Sequence, residues 1–124
     1  MEEISENAIS KTFASRDIIR YSAPELAEAS NVPPTTHSDI YSFAMLILQC
    51  ITEKVPFFHL SCDTAVIHAR FVKNQLPPRP GGWDSESNIS DELWYLMESC
   101  WSARPDHRPT MEHVHGFFMN HVYL

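Results

Sequence analysis

The stretch SDIYSFAMLILQCI, residues 38–51, decides the fold of this chain. Its apolar side chains recur at the i, i+3, i+4 spacing of a helix, and further apolar residues fill the other faces. A helix that is apolar nearly all round must be surrounded by protein, so we expect it to be the buried central helix of the fold. Thr36 or Ser38 is expected to cap its start, and the helix should end before Pro56.

Four further helices are predicted, so the expected fold class is mainly α. Short helices are predicted over Glu25–Ser30 and over Thr64–Lys73, with Asn74 suited to the left-handed position after the second of them. Two more helices are predicted to follow the N-cap residues Ser90 and Thr110. The sequence shows no strand pattern, no repeat and no low-complexity tract.

Length and charge limit the classes of partner. The 124 residues correspond to one domain, and 44% hydrophobic residues are typical of a globular chain. The net charge of -7, without a basic run, argues against nucleic acid as a partner. The longest apolar run, residues 43–48, is far shorter than the roughly 20 residues that a membrane span needs, so we expect no membrane partner.

The start of the chain and its cysteines indicate an intracellular protein. Residues 1–7 are acidic and polar, the reverse of a secretory signal. Cys50, Cys62 and Cys100 are odd in number and widely spaced, which predicts free buried thiols in a reducing compartment. A cytoplasmic or nuclear location is therefore expected.

Seven histidines raise the question of a metal site. Three of them share one segment, namely His113, His115 and His121. None of these is paired at i,i+4, and the chain has no Cys-x-x-Cys. Solvated helix histidines are thus favoured over a zinc site.

Three separated motifs carry a family resemblance. They are RYSAPE at residues 20–25, SDIYSFA at residues 38–44 and CWSARPDHRPT at residues 100–110. In order and spacing they resemble the Ala-Pro-Glu element, the Ser-Asp-Val-Trp-Ser-Phe-Gly segment and the Cys-Trp to Arg-Pro-Thr closing motif of protein kinases, closest to the tyrosine-kinase-like group. The resemblance implies the helical C-terminal (large) lobe of the protein kinase-like fold. An unrelated helical interaction domain is the much less favoured alternative.

The resemblance assigns structural roles to six residues, namely Ala23, Pro24, Glu25, Asp39, Trp101 and Arg108. It implies an ion pair between Glu25 and Arg108, because an arginine binds a carboxylate through two parallel hydrogen bonds. In the family, the residue matching Asp39 accepts hydrogen bonds from the His-Arg-Asp loop, which this chain does not contain. Asp39 should therefore cap its own helix in a box with Thr36 or stay near water.

The resemblance also suggests where a substrate and phosphate groups would act. Arg20, Tyr21 and Ser22 match the stretch that shapes the pocket beside a substrate's acceptor residue. Residues 1–20 are expected to be an irregular, activation-segment-like region, and residues 21–124 a partial kinase domain. Within the first region the candidate phosphorylation sites are Ser10, Thr12 and Ser15.

The residues that perform phosphoryl transfer in this family have no match here. No glycine-rich lid, strand lysine, catalytic Asp and Asn, or Asp-Phe-Gly is found, so no catalytic, cofactor-binding or metal residue is assigned. ATP and Mg²⁺ would be the cofactors of the intact family domain. We expect a protein kinase domain-containing chain, for ATP-dependent phosphorylation of Ser/Thr or Tyr, that is truncated and inactive alone. The alternative is a non-catalytic, pseudokinase-like binding module or scaffold, with the missing kinase lobe, a kinase partner or a peptide substrate as its partner.

Overall fold

The computed structural model describes residues 19–28, 32–80 and 89–121. These residues contain helices and loops and no strand. No helix in them is both long and apolar enough to cross a bilayer. The α-helices are α1 (Pro24–Glu28), α2 (Thr36–Thr52), α3 (Asp63–Ile67), α4 (Asp91–Cys100) and α5 (Met111–His121), with a π turn at His68–Val72 and a 3-10 turn at Pro105–His107.

The central helix α2 begins earlier than predicted, with Thr35 as its N-cap. The Ser38 amide donates to Thr35 Oγ1 at 3.2 Å, and the Thr35 amide donates to Ser38 Oγ at 2.7 Å. This reciprocal pair is a capping box, so Thr36 and Ser38 are not the N-cap and Asp39 takes no part in a box with Thr36. The expected caps were wrong by one residue for Thr36 and by three for Ser38, because Thr35 already has the extended backbone that a cap requires.

One side of α2 forms the core and another reaches the surface. Ile40, Ala44 and Met45 are at most 2% exposed. Leu46 is 51% exposed and Cys50 is exposed as well, so the described part of the chain does not bury this helix on every face. The helix is therefore central and largely buried, and the stripe that carries these two residues is its uncovered part.

The second predicted helix is present but changes its hydrogen-bond register. After α3, the Lys73 amide donates to the His68 carbonyl at 3.0 Å, which is the i→i+5 bond of a π turn. Asn74 then adopts φ 54°, as predicted for the residue past the helix end. The left-handed residue ends the helix and turns the chain into the extended, proline-rich segment that follows.

Helices α4 and α5 begin where the sequence indicates. Ser90 Oγ accepts from the Leu93 amide, and Thr110 Oγ1 accepts from the His113 amide, each at 3.2 Å. Helix α4 packs on α2 and ends at Trp101, whose ring lies edge-on to Trp94 with 5.5 Å between centroids. The tryptophan pair therefore closes the core at the C-terminal end of α4.

The three cysteines are free, but only Cys100 is buried. The prediction of buried thiols is wrong for Cys50, on the exposed stripe of α2, and for Cys62, in the loop before α3. Burial raises the pKa of the Cys100 thiol to about 11. Hydrogen bonds from the backbone amides of Ala65 and Thr64 lower the pKa of Cys62.

Native thiol reactivity should follow this order. With a disulfide reagent near pH 8, we expect Cys62 to react first, Cys50 second and Cys100 only after unfolding, because the thiolate is the reacting species. Mass spectrometry of the labelled fragments checks the order, and the same reaction in concentrated urea is the control. Equal labelling of all three cysteines in the native protein would contradict the assigned burial.

Candidate functional site

A bidentate ion pair joins two of the motifs across the fold. Arg108 Nη1 lies 2.7 Å from Glu25 Oε2, and Arg108 Nη2 lies 2.8 Å from Glu25 Oε1. The two residues are 83 positions apart in the sequence, and the predicted contact between them is confirmed. Two parallel hydrogen bonds fix both the distance and the relative orientation of the two side chains.

The guanidinium of Arg108 is enclosed on its other sides by the protein. Its side chain is fully buried, while that of Glu25 keeps 24% exposure. It donates to the carbonyls of Ser102 and His37, each at 3.0 Å, and stacks 4.9 Å above the Tyr41 ring centroid. Arg108 thereby ties together α1, the start of α2 and the loop after α4.

The ion pair changes the acidity of Glu25. Partial burial is the largest single influence and would raise the pKa of this carboxyl, but the hydrogen bonds from Arg108, a hydrogen bond from the backbone amide of Glu25 and the positive charge of Arg108 together hold the pKa below its ordinary value. The folded state therefore binds this proton less readily than the unfolded state does. The stabilisation that ionised Glu25 contributes is complete above the carboxyl pKa of the unfolded state. It disappears as pH falls through the lower pKa of the folded state.

Acid should thus weaken the protein through Glu25. We expect the wild-type advantage over Glu25→Gln in urea unfolding to be constant at neutral pH and to shrink below about pH 4, near the ordinary carboxyl pKa. The matched control is Glu112→Gln, since Glu112 is exposed on α5. A difference between wild type and Glu25→Gln that did not vary from pH 7 to pH 3 would contradict the assignment.

The expected pocket residues Arg20, Tyr21 and Ser22 belong to a tightly held segment. Residues 19–21 form a turn of helix just before α1. Arg20 donates to three carbonyls of one loop at 2.9–3.0 Å, those of Pro56, Phe57 and Leu60. Tyr21 donates its hydroxyl to Gln49 on α2, and Ser22 is 8% exposed. The side chains of Arg20 and Tyr21 are thus hydrogen-bonded within the chain, to the loop at residues 56–60 and to α2 respectively. A substrate-facing role for the segment remains a prediction.

Arg70 is the residue of this region that sequence reasoning missed. It lies in the π turn with 3% exposure, and donates to the carbonyls of Ile19 and Ser22 and to the Tyr41 hydroxyl. The signal was present in the sequence, because Arg70 follows Val66 at i+4 on the apolar stripe of its helix. An arginine inside such a stripe must find polar partners when the stripe is buried.

The other predicted residues lie apart from this cluster or outside the described chain. Asp39 is exposed at the first turn of α2, so its side chain is near water. Trp101 is 2% exposed, and its indole Nε1 has no hydrogen-bond partner among the described residues. The candidate phosphorylation sites Ser10, Thr12 and Ser15 lie outside the described residues. Within the described ranges, no three His, Cys, Asp or Glu side chains gather as a metal-ligand set.

Comparison with known proteins agrees with the motifs. The family model described as protein tyrosine and serine/threonine kinase matches residues 1–118. The chain is 33% identical over 98 residues to human receptor-interacting serine/threonine-protein kinase 1. The aligned region covers 79% of this chain and 14% of that protein. It is also 32% identical over 97 residues to the human proto-oncogene tyrosine-protein kinase ROS, covering 72% of this chain and 4% of that one.

A third relative carries a different activity in its name. The receptor-type guanylate cyclase gcy-28 of Caenorhabditis elegans is 34% identical over 127 residues, covering 92% of this chain and 10% of the relative. The chain thus spans a seventh or less of the length of these three proteins. Their names include a serine/threonine kinase, a tyrosine kinase and a cyclase, so the likeness does not select one activity.

Proposed function

The chain belongs to the protein kinase superfamily, in its tyrosine-kinase-like group, and from this premise we propose that its residues form part of the large, C-terminal lobe of a kinase domain. In that role residues 20–25 would form the side of the domain that faces a protein or peptide substrate. The work of the whole domain would be ATP-dependent phosphorylation of Ser/Thr or Tyr. We propose that these 124 residues bind and orient a protein or peptide substrate, and that by themselves they do not transfer phosphate.

The ion pair of Glu25 and Arg108 is the observation that carries this proposal. It joins the Ala-Pro-Glu element to the closing motif, as the family resemblance implies, in a chain whose described residues are helices and loops. Helical periodicity alone would not bring these two charges together, whereas the family resemblance implies their contact. The contact supports the placement of residues 20–25 at the edge of the lobe, beside α2.

The missing chemical groups support the second half of the proposal. Phosphoryl transfer in this family relies on Mg²⁺, a strand lysine and a catalytic-loop Asp that stabilise the charge of the transferred group. The sequence contains no His-Arg-Asp and no Asp-Phe-Gly, and its three glycines, Gly81, Gly82 and Gly116, form no phosphate-binding loop pattern. A chain without these groups should lose essentially all of the rate enhancement.

Two measurements on the purified 124-residue chain test the proposal of inactivity. We expect no transfer of labelled phosphate from ATP·Mg²⁺ to myelin basic protein or to a poly-Glu-Tyr polymer. We also expect no change in melting temperature with millimolar ATP·Mg²⁺, since a ligand that binds the native state would raise it. Stoichiometric transfer, or a saturable thermal shift, would overturn the proposal that these residues lack the phosphate-handling groups.

A non-catalytic binding module is the second candidate function. The segment 19–22 favours it, because this segment is held by hydrogen bonds to Arg70 and to the loop at residues 56–60, which lie within these 124 residues. A surface fixed before binding loses less entropy when it captures a peptide. Arrays of peptides centred on Ser, Thr or Tyr would test it: retention at micromolar concentration supports the module, and no retention of any peptide rejects it.

A further inference from the structure

Arg70 is a buried cation with neutral hydrogen-bond acceptors. Its Nη1 donates to the Ile19 carbonyl at 2.6 Å, and its Nη2 donates to the Ser22 carbonyl at 2.7 Å and to the Tyr41 hydroxyl at 2.8 Å. A cation is costly to bury, so its hydrogen bonds to these oxygens must compensate for lost water. A site that required only packing would be filled more simply by an apolar side chain.

The geometry of these bonds shows what Arg70 holds. One planar guanidinium captures two carbonyls three residues apart, at the two ends of the segment 19–22. A rigid fork that bonds both ends fixes the curvature of the backbone between them. On its other side the same segment is held through Arg20, whose guanidinium bonds the loop at residues 56–60.

Tyr41 in turn holds Arg70. Two guanidiniums lie near its ring, that of Arg70 at 5.4 Å and that of Arg108 at 4.9 Å from the centroid, and its hydroxyl accepts from Arg70. Tyrosine offers both an aromatic face and an acceptor oxygen at its tip, whereas a tryptophan indole could only donate. The side chain at position 41 is therefore matched to the arginine at position 70.

We propose that Arg70, oriented by Tyr41, is a positioning residue that fixes the backbone of segment 19–22 for the capture of a peptide. The inference rests on the proposed function in one respect, that this segment faces the peptide. Arg70 itself is buried and would not touch the bound chain. It acts through the backbone of residues 19–22.

Native-state trypsin digestion measures the conformation of this segment directly. Cleavage after Arg20 requires the segment to open and release the Arg20 side chain from its three carbonyls. We expect Arg70→Met to accelerate formation of the fragment that begins at Tyr21 by at least about tenfold, as lost hydrogen bonds to a charged group imply. Arg70→Lys should not restore protection, because one ammonium cannot reproduce the planar fork.

Three comparisons separate positioning from a general loss of stability. Urea unfolding followed by circular dichroism gives the global stability of each variant, and the cleavage rate should rise by more than that change explains. Arg79→Met is the matched control, since Arg79 is partly exposed and pairs with Asp91 on the surface. If Arg70→Met does not fold, Tyr41→Phe still decides, because it removes a single acceptor and keeps the ring. Tyr41→Phe should accelerate cleavage in the wild-type background. Where Arg70→Met folds, Tyr41→Phe should have no further effect in that variant.

The peptide array then tests whether the segment binds. With wild-type protein that retains peptides, we expect Arg70→Met to lose most of the retained signal and Arg79→Met to keep it. If wild type retains no peptide, the proposed binding function fails while the trypsin result still decides the role of Arg70. Unchanged cleavage after Arg20 in Arg70→Met and Tyr41→Phe, or acceleration no larger than the loss of global stability explains, would overturn the inference.

Discussion

Arg108→Met is expected to destabilise the protein by roughly 3–5 kcal/mol, because it removes the buried partner of a partly buried ion pair and leaves two carbonyls without their donor. The substitution deletes both bonds to Glu25 and the bonds to the carbonyls of Ser102 and His37. Urea unfolding followed by circular dichroism at 222 nm measures the change. The loss is a large share of the 5–15 kcal/mol that typically stabilises a domain, so the midpoint of urea unfolding should fall markedly.

Arg104→Met is the matched control for this prediction. Arg104 is exposed and meets Asp106 at 3.4 Å, so its loss should change stability by less than about 1 kcal/mol. A double charge swap, Glu25→Arg with Arg108→Glu, should be more stable than the sum of the two single changes predicts. Recovery should be partial, since a glutamate at 108 would face the carbonyls of Ser102 and His37. Strict additivity of the two single changes would contradict the ion pair.

The sequence predicted those parts of the fold that depend on local patterns or on short motifs. Helix α2 was evident from its apolar residues, and Asn74 from its position past a helix end. The pairing of Glu25 with Arg108 could be predicted although they are far apart, since both lie in recognisable motifs. Periodicity alone would not have found this pair, because it contains no information about which distant charges meet.

The remaining features depend on tertiary packing, which local patterns encode only in part. The sequence shows that Leu46 and Cys50 of α2 are apolar, but periodicity does not indicate whether a neighbouring element covers them. Arg70 is the opposite case, a charged residue that is buried. It was missed because an arginine is usually exposed, and its burial here depends on carbonyls that are distant in the sequence. In the candidate site, the motifs therefore identified Glu25 and Arg108, and the structure added the residue that holds segment 19–22.

Trp101→Ala is the second substitution with a large expected effect, about 3–5 kcal/mol of lost stability. Trp101 is 2% exposed at the end of α4, and its ring packs edge-on to Trp94. Removing the indole leaves a cavity that the surrounding helices can only partly fill, and the aromatic contact is lost as well. The midpoint of urea unfolding by circular dichroism checks the prediction, because tryptophan fluorescence would itself be altered by the change.

Trp101→Phe separates the effect of volume from the effect of the indole N–H. The Nε1 of Trp101 is buried and finds no hydrogen-bond partner within residues 19–28, 32–80 and 89–121, so deleting it removes a polar group that is unfavourable to bury. We expect Trp101→Phe to cost much less than Trp101→Ala, since a phenyl ring refills most of the space and carries no unsatisfied donor. Tyr95→Ala is the exposed aromatic control on the same helix, at 63% exposure, and should change stability by less than about 0.5 kcal/mol. If Trp101→Phe were as damaging as Trp101→Ala, the indole N–H must have a partner and the core around α4 must be arranged differently.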